Sequence, residues 1–317
     1  MTVRQRFAQA PRAAVIFGRD GLIALVLGCC LPVAWAADYG TGLSDTTWQL
    51  EASEYYCKFY QPIPQYGLAV FFHEAGEELE FYLQATRNQM ALGQAALTVE
   101  APDWRSSALT HELGYVRVQD RDIPLRVEPD RARRIMGELA NGMAPTFTRQ
   151  ARYGSESIRV QVSPVEFKSY YNDYLACSAG LLPVNFSQVE RTVVNYPSGG
   201  ELLDNTAQSV LDDLVAYVAA DERILALEVV GHSDNVGTRY DNRRLSERRA
   251  NRVTDYLVEQ GVDPSIILTD YQGDRYPIAD NNTAAGRSAN RRTTILVVRD
   301  SGDADDPLNG LPDFEAR

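Results

Sequence analysis

The apolar positions of this chain change period partway along it. Over residues 38–160 they alternate with polar ones in short runs. Trp48, Leu50 and Ala52 have polar neighbours, and Cys57 and Phe59 alternate with Tyr56, Lys58 and Tyr60. A period of two marks half-buried strands. The segment GLAVFFH at 67–73 is a compact buried run, Gly76 turns the chain, and 79–83 returns it as a hairpin. Residues 96–101 form another strand, and 113–118 with 123–127 flank a polar tip as a second hairpin. Residues 147–151 and 158–162 resume the pattern. Gln61-Pro62-Ile63-Pro64 is expected to break it, because proline lacks the donor that a strand needs.

Two helices interrupt these strands. Pro129 suits a first turn, Ile135, Met136 and Leu139 face a core, and Asn141-Gly142 ends the helix. Residues 164–178 read as a second helix, with Phe167, Tyr171, Tyr174 and Leu175 on one side and Cys177 at its end. A hinge is expected at 180–187. Beyond it the period lengthens. A strand at 192–196 is followed by Ala207, Val210, Leu211, Leu214, Val215 and Val218 at helical spacing. A strand at 227–230, a helix from Tyr240 to Gly261, and strands at 266–271 and 294–298 complete the run. The pattern predicts an α+β chain of two domains. A β-rich barrel or sandwich with few helices comes first, over 37–180, and a two-layer βαβαββ domain follows, over 181–300.

Polar residues stand out where the second pattern calls for apolar ones. His232, Ser233, Asp234 and Asn235 occupy the loop after the 227–230 strand, with Gly237 as its turn. On the helix that follows, Leu245, Val253, Tyr256 and Leu257 fall within roughly 60° of the direction of Asn242, at 100° per residue. Arg249 lies in the middle of that face, whereas Arg243, Arg244 and Arg248 lie outside it. A guanidinium cannot be neutralised and is rarely left unpaired when desolvated, so Arg249 requires a carboxylate. Asp234 is the best placed. The plainer reading is a structural Asp–Arg pair that ties the loop to the helix. The sharper one is a zwitterion receptor: an exposed carboxylate and a guanidinium fork, a few ångströms apart, holding an ammonium and a carboxylate of one ligand.

Composition narrows the setting. The chain has 317 residues and a net charge of −12, which argues against nonspecific nucleic-acid binding. Residues 1–36 read as an export signal peptide, with Arg4, Arg6, Arg12 and Arg19, an apolar stretch at 22–27 and an A-x-A site at Ala34-Trp35-Ala36. Lipid attachment at Cys29 is the competing reading of that segment. Removing its four arginines and one aspartate from the 31 basic and 43 acidic residues leaves 27 and 42, a net charge of −15. Two of the four cysteines leave with the leader. Cys57 and Cys177 remain, an even pair in an oxidising compartment, and one disulfide between them is predicted. A nucleophile built from Cys57 and His73 is the enzymatic alternative. Only three histidines exist and none sits at ligand spacing from a cysteine, so neither a metal nor a cofactor is expected. The acidic, Gly/Pro-rich segment 301–317 reads as a disordered tail.

Three motifs in order, GHSDNVG (231–237), LSERRA (245–250) and NNTAAGRSANRR (281–292), resemble the signature of the OmpA-like peptidoglycan-binding domain. The resemblance implies a receptor for the diaminopimelate of the cell-wall stem peptide. Asp234 would hold its ammonium and Arg249 its carboxylate, with Asn242 and Arg287 in support. His232 is expected to be structural. Asn290, Arg291 and Arg292 serve equally well as pins for the last strand or as parts of the site.

The first half resembles the N-terminal domain of the MotY family of sodium-driven flagellar motors. YGTG at Tyr39, Trp48-Gln49, Cys57, IPQYGLAVFF from Ile63, AGEELEF, the DWR at Asp103, and FKSYYNDYLACSAGLLP from Phe167 carry it, and both cysteines fall where that family has its pair. The resemblance implies a periplasmic structural protein of the flagellar basal body, not an enzyme. Its implied partners are peptidoglycan, the basal body, a MotX-like protein and PomA/PomB-type stator units. A general wall-tethering envelope protein without a motor role and a cell-wall hydrolase are the other readings.

Overall fold

The computed structural model describes residues 36–42, 45–102, 105 and 110–300. The leader with Cys29, the tail 301–317, and Asp103 and Trp104 lie outside the described residues; of the leader only Ala36 is included. The protein is α+β, with two sheets, each with its own core.

The first sheet has ten strands. They are β1 (Ala36–Tyr39), β2 (Gln49–Ala52), β3 (Tyr56–Ile63), β4 (Gly67–Glu74), β5 (Glu80–Ala85), β6 (Gly93–Glu100), β7 (Thr110–Val118), β8 (Leu125–Val127), β9 (Ala144–Gln150) and β10 (Ser157–Gln161). Their spatial order is β1-β10-β9-β6-β7-β8-β5-β4-β3-β2, and only the β1–β10 pair is parallel. The sheet curls until its two ends meet. Gln61 of β3 donates to the Ser163 carbonyl just past β10 (2.9 Å), and the Trp48 indole donates to the same oxygen (3.2 Å). The curled sheet encloses one core, the barrel-like outcome of the two anticipated.

Aromatic side chains fill that core. Trp48 lies 4.6 Å from Phe59 and 4.9 Å, edge-on, from Phe167, the offset and edge geometries that ring quadrupoles favour. Helix α1 (Pro129–Ala140) has proline in its first turn and buries Ala132, Ile135, Met136 and Leu139, a stripe at helical spacing. Helix α2 (Phe167–Ala179) buries Phe167 and Tyr174, but Leu175 is exposed. Its last turn is bonded to β3 through a Cys57–Cys177 disulfide. That bond removes the Cys57–His73 nucleophile, and His73 instead contacts the Tyr174 hydroxyl through Nδ1 (3.3 Å).

Two expectations fail here. Pro62 lies inside β3, opposite Leu68. Strand β2 pairs with β3 only as far as Tyr60, so beyond that residue one edge of β3 is unpaired and a missing N–H is tolerated. The hinge at 180–187 is tied down. The Leu182 amide donates to the Glu54 carbonyl (2.9 Å), and Asn185 caps the short helix α3 (Phe186–Val189) in a capping box. The Gln188 side chain reaches the Gly76 carbonyl (3.1 Å), and a Cβ on Gly76 would stand 2.1 Å from that side chain. Tyr55 extends the junction by donating to the Ala220 carbonyl (2.9 Å).

The second sheet comprises β11 (Arg191–Asn195), β12 (Ile224–His232), β13 (Ile267–Gly273) and β14 (Arg292–Arg299). Helices α4 (Asn205–Ala220) and α5 (Arg239–Glu259) pack on one face, and a short α6 (Ala284–Asn290), absent from the sequence reading, precedes β14. The order is β11-β14-β12-β13, so the last strand is inserted centrally, antiparallel to both neighbours, while β12 and β13 run parallel. The C-terminal ends of β11, β12 and β13 therefore gather at one edge of the sheet, beside the start of β14. Open α/β sheets place ligands at such an edge.

Candidate functional site

The loop after β12 and the first turns of α5 form the corner that the motifs marked. Strand and helix approach closely because residue 231 is glycine: a Cβ there would stand 2.1 Å from the Ser246 carbonyl oxygen. Thr238 caps α5 by accepting from the Asp241 amide (3.1 Å). Ser246, about two turns on, accepts from the Gly273 amide at the end of β13 (3.0 Å) and donates to the Arg243 carbonyl (2.8 Å). The Ser233 amide donates to the Gly273 carbonyl (2.9 Å), which fixes the loop against the same strand end.

Arg249 is fully buried. Its Nε donates to the Gly200 carbonyl (2.8 Å), its Nη1 donates to the His232 carbonyl (2.9 Å), and its Cζ stands 4.7 Å from the Tyr196 ring centroid. Carbonyl dipoles and a ring face thus carry part of the cation's lost hydration. Nη2 has no hydrogen-bond partner, and no carboxylate lies within ion-pair distance among the described residues. Burial pushes the guanidinium down to about 10, partly opposed by Tyr196 and Asp234.

The expected Asp234–Arg249 ion pair is therefore not formed. Asp234 is nearly buried rather than exposed, at 7% accessibility. Its Oδ2 accepts from Arg291 Nη1 at 3.1 Å, and its Oδ1 accepts from the Val236 amide at 3.1 Å. Arg291 also donates through Nε to the Tyr196 carbonyl (3.0 Å). The reason lies in the topology: the central position of β14 brings its N-terminal end beside the β12 loop, which the sequence order hides. Arg249 and Asp234 still belong to one corner, because Arg249 grips the carbonyl two residues before Asp234.

Asn242 is buried about two helical turns before Arg249, on the same face, and its Nδ2 has no partner among the described residues. The Ser233 hydroxyl is likewise buried and unpartnered. Ser233 Oγ, Asn242 Nδ2 and Arg249 Nη2 are thus without a partner on this side of the sheet, as are His232 Nδ1 and Arg292 Nε and Nη1 at the ends of the same strands. Buried polar groups are ordinarily satisfied, and such exceptions mark places built for something else.

The other motif residues separate by role. Arg287, on α6, donates to the Asn281 carbonyl (2.8 Å), and its contacts are with its own loop rather than with Asp234 or Arg249. Asn290 is a pin: its Oδ1 accepts from the Ile278 and Ala279 amides, and its Nδ2 donates to Ala279 and Asn281 oxygens. Arg292 and His232 fall on the sheet face opposite α5, by strand alternation from Gly231 and Thr293. His232 is pushed down to about 4 by burial and by Arg292, so it is neutral at physiological pH. Its burial agrees with a structural residue. Arg291 was left undecided by the sequence; only its salt bridge to Asp234 assigns it to the site.

Comparison with known proteins covers both domains. Residues 39–183 match the MotY N-terminal domain, and residues 195–291 match the OmpA family. The chain is 30% identical over 246 residues to the sodium-type flagellar protein MotY of Vibrio parahaemolyticus, spanning 77% of this chain and 84% of that protein. It is 45% identical over 102 residues to outer membrane protein A of Bordetella avium (32% of this chain, 48% of that one). It is 46% identical over 67 residues to the peptidoglycan-binding protein ArfA of Mycobacterium bovis, 21% of each chain.

Proposed function

The chain belongs to the MotY family, and from that premise we propose that it is a structural, periplasmic component of the flagellar motor that grips peptidoglycan and helps position stator units. The observation that carries the wall-binding half is Arg249: a fully buried cation with one free Nη2, about two helical turns from Asn242, whose Nδ2 is also free. A ligand carboxylate satisfies both donors at once. The ammonium of the same amino-acid head group goes to Asp234, whose charge Arg291 holds in place at 3.1 Å. Diaminopimelate, which keeps one free zwitterionic end in an uncrosslinked stem peptide, is the wall component of that chemistry. Arg287 acts indirectly, by holding the 281–283 turn.

We read the arrangement as a binding site rather than a hydrolytic one. Asp234 is paired with Arg291 and the Val236 amide, and Asp241 is engaged in the helix cap through Thr238. The two carboxylates flank a receptor-like arginine rather than forming the isolated acid–base pair that glycoside hydrolysis uses. In the motor reading the first domain attaches to the basal body and to a MotX-like protein, and the second holds the wall against the reaction force of PomA/PomB-type stators. Many copies in a ring multiply weak single-site affinities.

The test has two arms. A fluorescent fusion is expected as foci at flagellar bases, and loss of the gene is expected to abolish swimming. Pull-down with purified sacculi is expected to retain the wild-type protein and not Asp234→Ala or Arg249→Ala. Normal swimming without the gene, with wall binding intact, would leave a general envelope tether instead. Release of muropeptides from sacculi would make the protein a hydrolase.

A further inference from the structure

A cavity of about 330 Å³ opens where the first turns of α5 face the end of β13. Arg239, Arg243 and Arg275 line it, with Tyr240 and Tyr271. All three guanidiniums are exposed, in a chain whose acidic residues outnumber basic ones 43 to 31 and so could have supplied each with a carboxylate partner. Among the described residues none of the three guanidiniums is ion-paired or hydrogen-bonded, and Arg243 only lies over the Tyr271 ring, 5.3 Å from its centroid. Asp270 and Asp274 also line the cavity, but Asp270 is turned to its own strand, accepting from the Tyr271 amide and the Gln272 side chain.

The cavity adjoins the wall site through shared elements. Gly273 lines it, and the Gly273 carbonyl holds the Ser233 amide, one residue from Asp234. Along α5, exposed Arg239 and Arg243 form one row at a four-residue step, and buried Asn242, Ser246 and Arg249 form the row beside it. The two rows place the arginine-lined opening next to the unpartnered Asn242 amide and buried Arg249.

We propose that this cavity is a second subsite of the wall site. It takes the α-carboxylate of the γ-linked D-glutamyl residue of the stem peptide, which bare diaminopimelate lacks. Guanidinium forks suit a carboxylate, and the free N–H groups at the start of a 21-residue helix add to its attraction. The assignment rests on the wall-binding reading. Its consequence is selectivity: a peptide carrying the extra carboxylate binds more tightly than the bare amino acid.

Calorimetry on the full chain tests this with two probes, meso-diaminopimelate and the tripeptide L-alanyl-γ-D-glutamyl-meso-diaminopimelate. The wild type is expected to bind the tripeptide about tenfold more tightly, the scale of one charge-assisted contact. Arg239→Gln/Arg243→Gln is expected to erase that advantage and leave diaminopimelate affinity unchanged. The charge-matched control Arg244→Gln/Arg252→Gln, on exposed positions of the same helix, is expected to keep it. An undiminished tripeptide advantage in the first variant overturns the subsite while leaving the wall site standing. An equal loss in the control overturns it too, by reducing the effect to net charge. Failure of the wild type to bind either probe overturns both readings.

Discussion

Asp234 and Arg291 meet at 3.1 Å across the end of the second sheet, one from the loop after β12 and the other from the residue before β14. Arg249 therefore keeps its charge without a carboxylate. A buried cation of that kind costs stability, and an apolar side chain of similar length relieves the cost. Arg249→Met is expected to hold or raise the melting temperature and to abolish sacculus binding. Circular dichroism melts beside pull-down measure both. A collapse in stability with binding retained would identify Arg249 as purely structural.

The Asp234–Arg291 pair is expected to carry real coupling, because the two side chains are only 9% and 15% exposed. A double-mutant cycle with Asp234→Asn and Arg291→Met should return about 1–3 kcal/mol, more than an exposed pair gives. Asp234→Asn should weaken wall binding more than Arg291→Met, since the aspartate is the group proposed to meet the ammonium. Urea midpoints and sacculus pull-down on the three variants decide it.

The Cys57–Cys177 bond joins residues 120 apart in sequence. Closing a loop of that length restricts the unfolded chain, and its loss is expected to cost about 4–5 kcal/mol in the chain-entropy model. Cys57→Ser/Cys177→Ser, or reduction of the wild type, should lower the urea midpoint of the first domain. Sacculus binding by the second domain should persist, because none of its site residues touches the bond.

The apolar pattern makes most of both domains legible: β4 is a continuous buried run, β7 and β8 alternate with a period of two, and the apolar stripe of α4 follows 3.6. What failed were relations between distant segments. Asp234, at the mouth of the strand before α5, is the carboxylate that local order offers Arg249, but insertion of β14 between β11 and β12 delivers Arg291 to it instead. Pro62 looked like a terminator because a proline's cost depends on which edge of its strand is paired, and sequence does not state that. Helix α6 has a thin apolar content, so it carries no periodic signal; its Thr283 cap, accepting from Gly286, was the available cue.

His232 titrates in a direction that can be read as stability. Its folded-state value is lowered from 6.5 to about 4, first by burial and then by Arg292, with Arg191 acting the same way and Asp270 opposing. Between those values the unfolded chain binds a proton that the folded one refuses. The contribution is therefore complete above pH 6.5 and is lost as the pH falls toward 4. The melting temperature of the wild type is expected to drop between pH 7.5 and 5, and that of His232→Gln to drop less. Parallel pH profiles would remove His232 from the account.

Gly231 tests whether the site depends on the approach of strand to helix. Its α-carbon faces α5 so closely that a methyl group would stand 2.1 Å from the Ser246 carbonyl oxygen and 3.2 Å from the Ala250 side chain. The first obstacle is backbone, which cannot rotate away, so Gly231→Ala must push α5 off β12. That shift separates Ser246 from Gly273 and moves Arg249 away from the His232 carbonyl, so the three unpartnered donors no longer share one corner. The expected result is destabilisation of about 1–3 kcal/mol, the scale of overpacking in a closed core, together with loss of sacculus binding. Ser246→Ala separates the two effects, since it deletes the hydroxyl that holds Gly273 without forcing the helix away. It should weaken wall binding with a smaller fall in the urea midpoint. Full binding by Gly231→Ala would mean that the wall is held elsewhere on the domain.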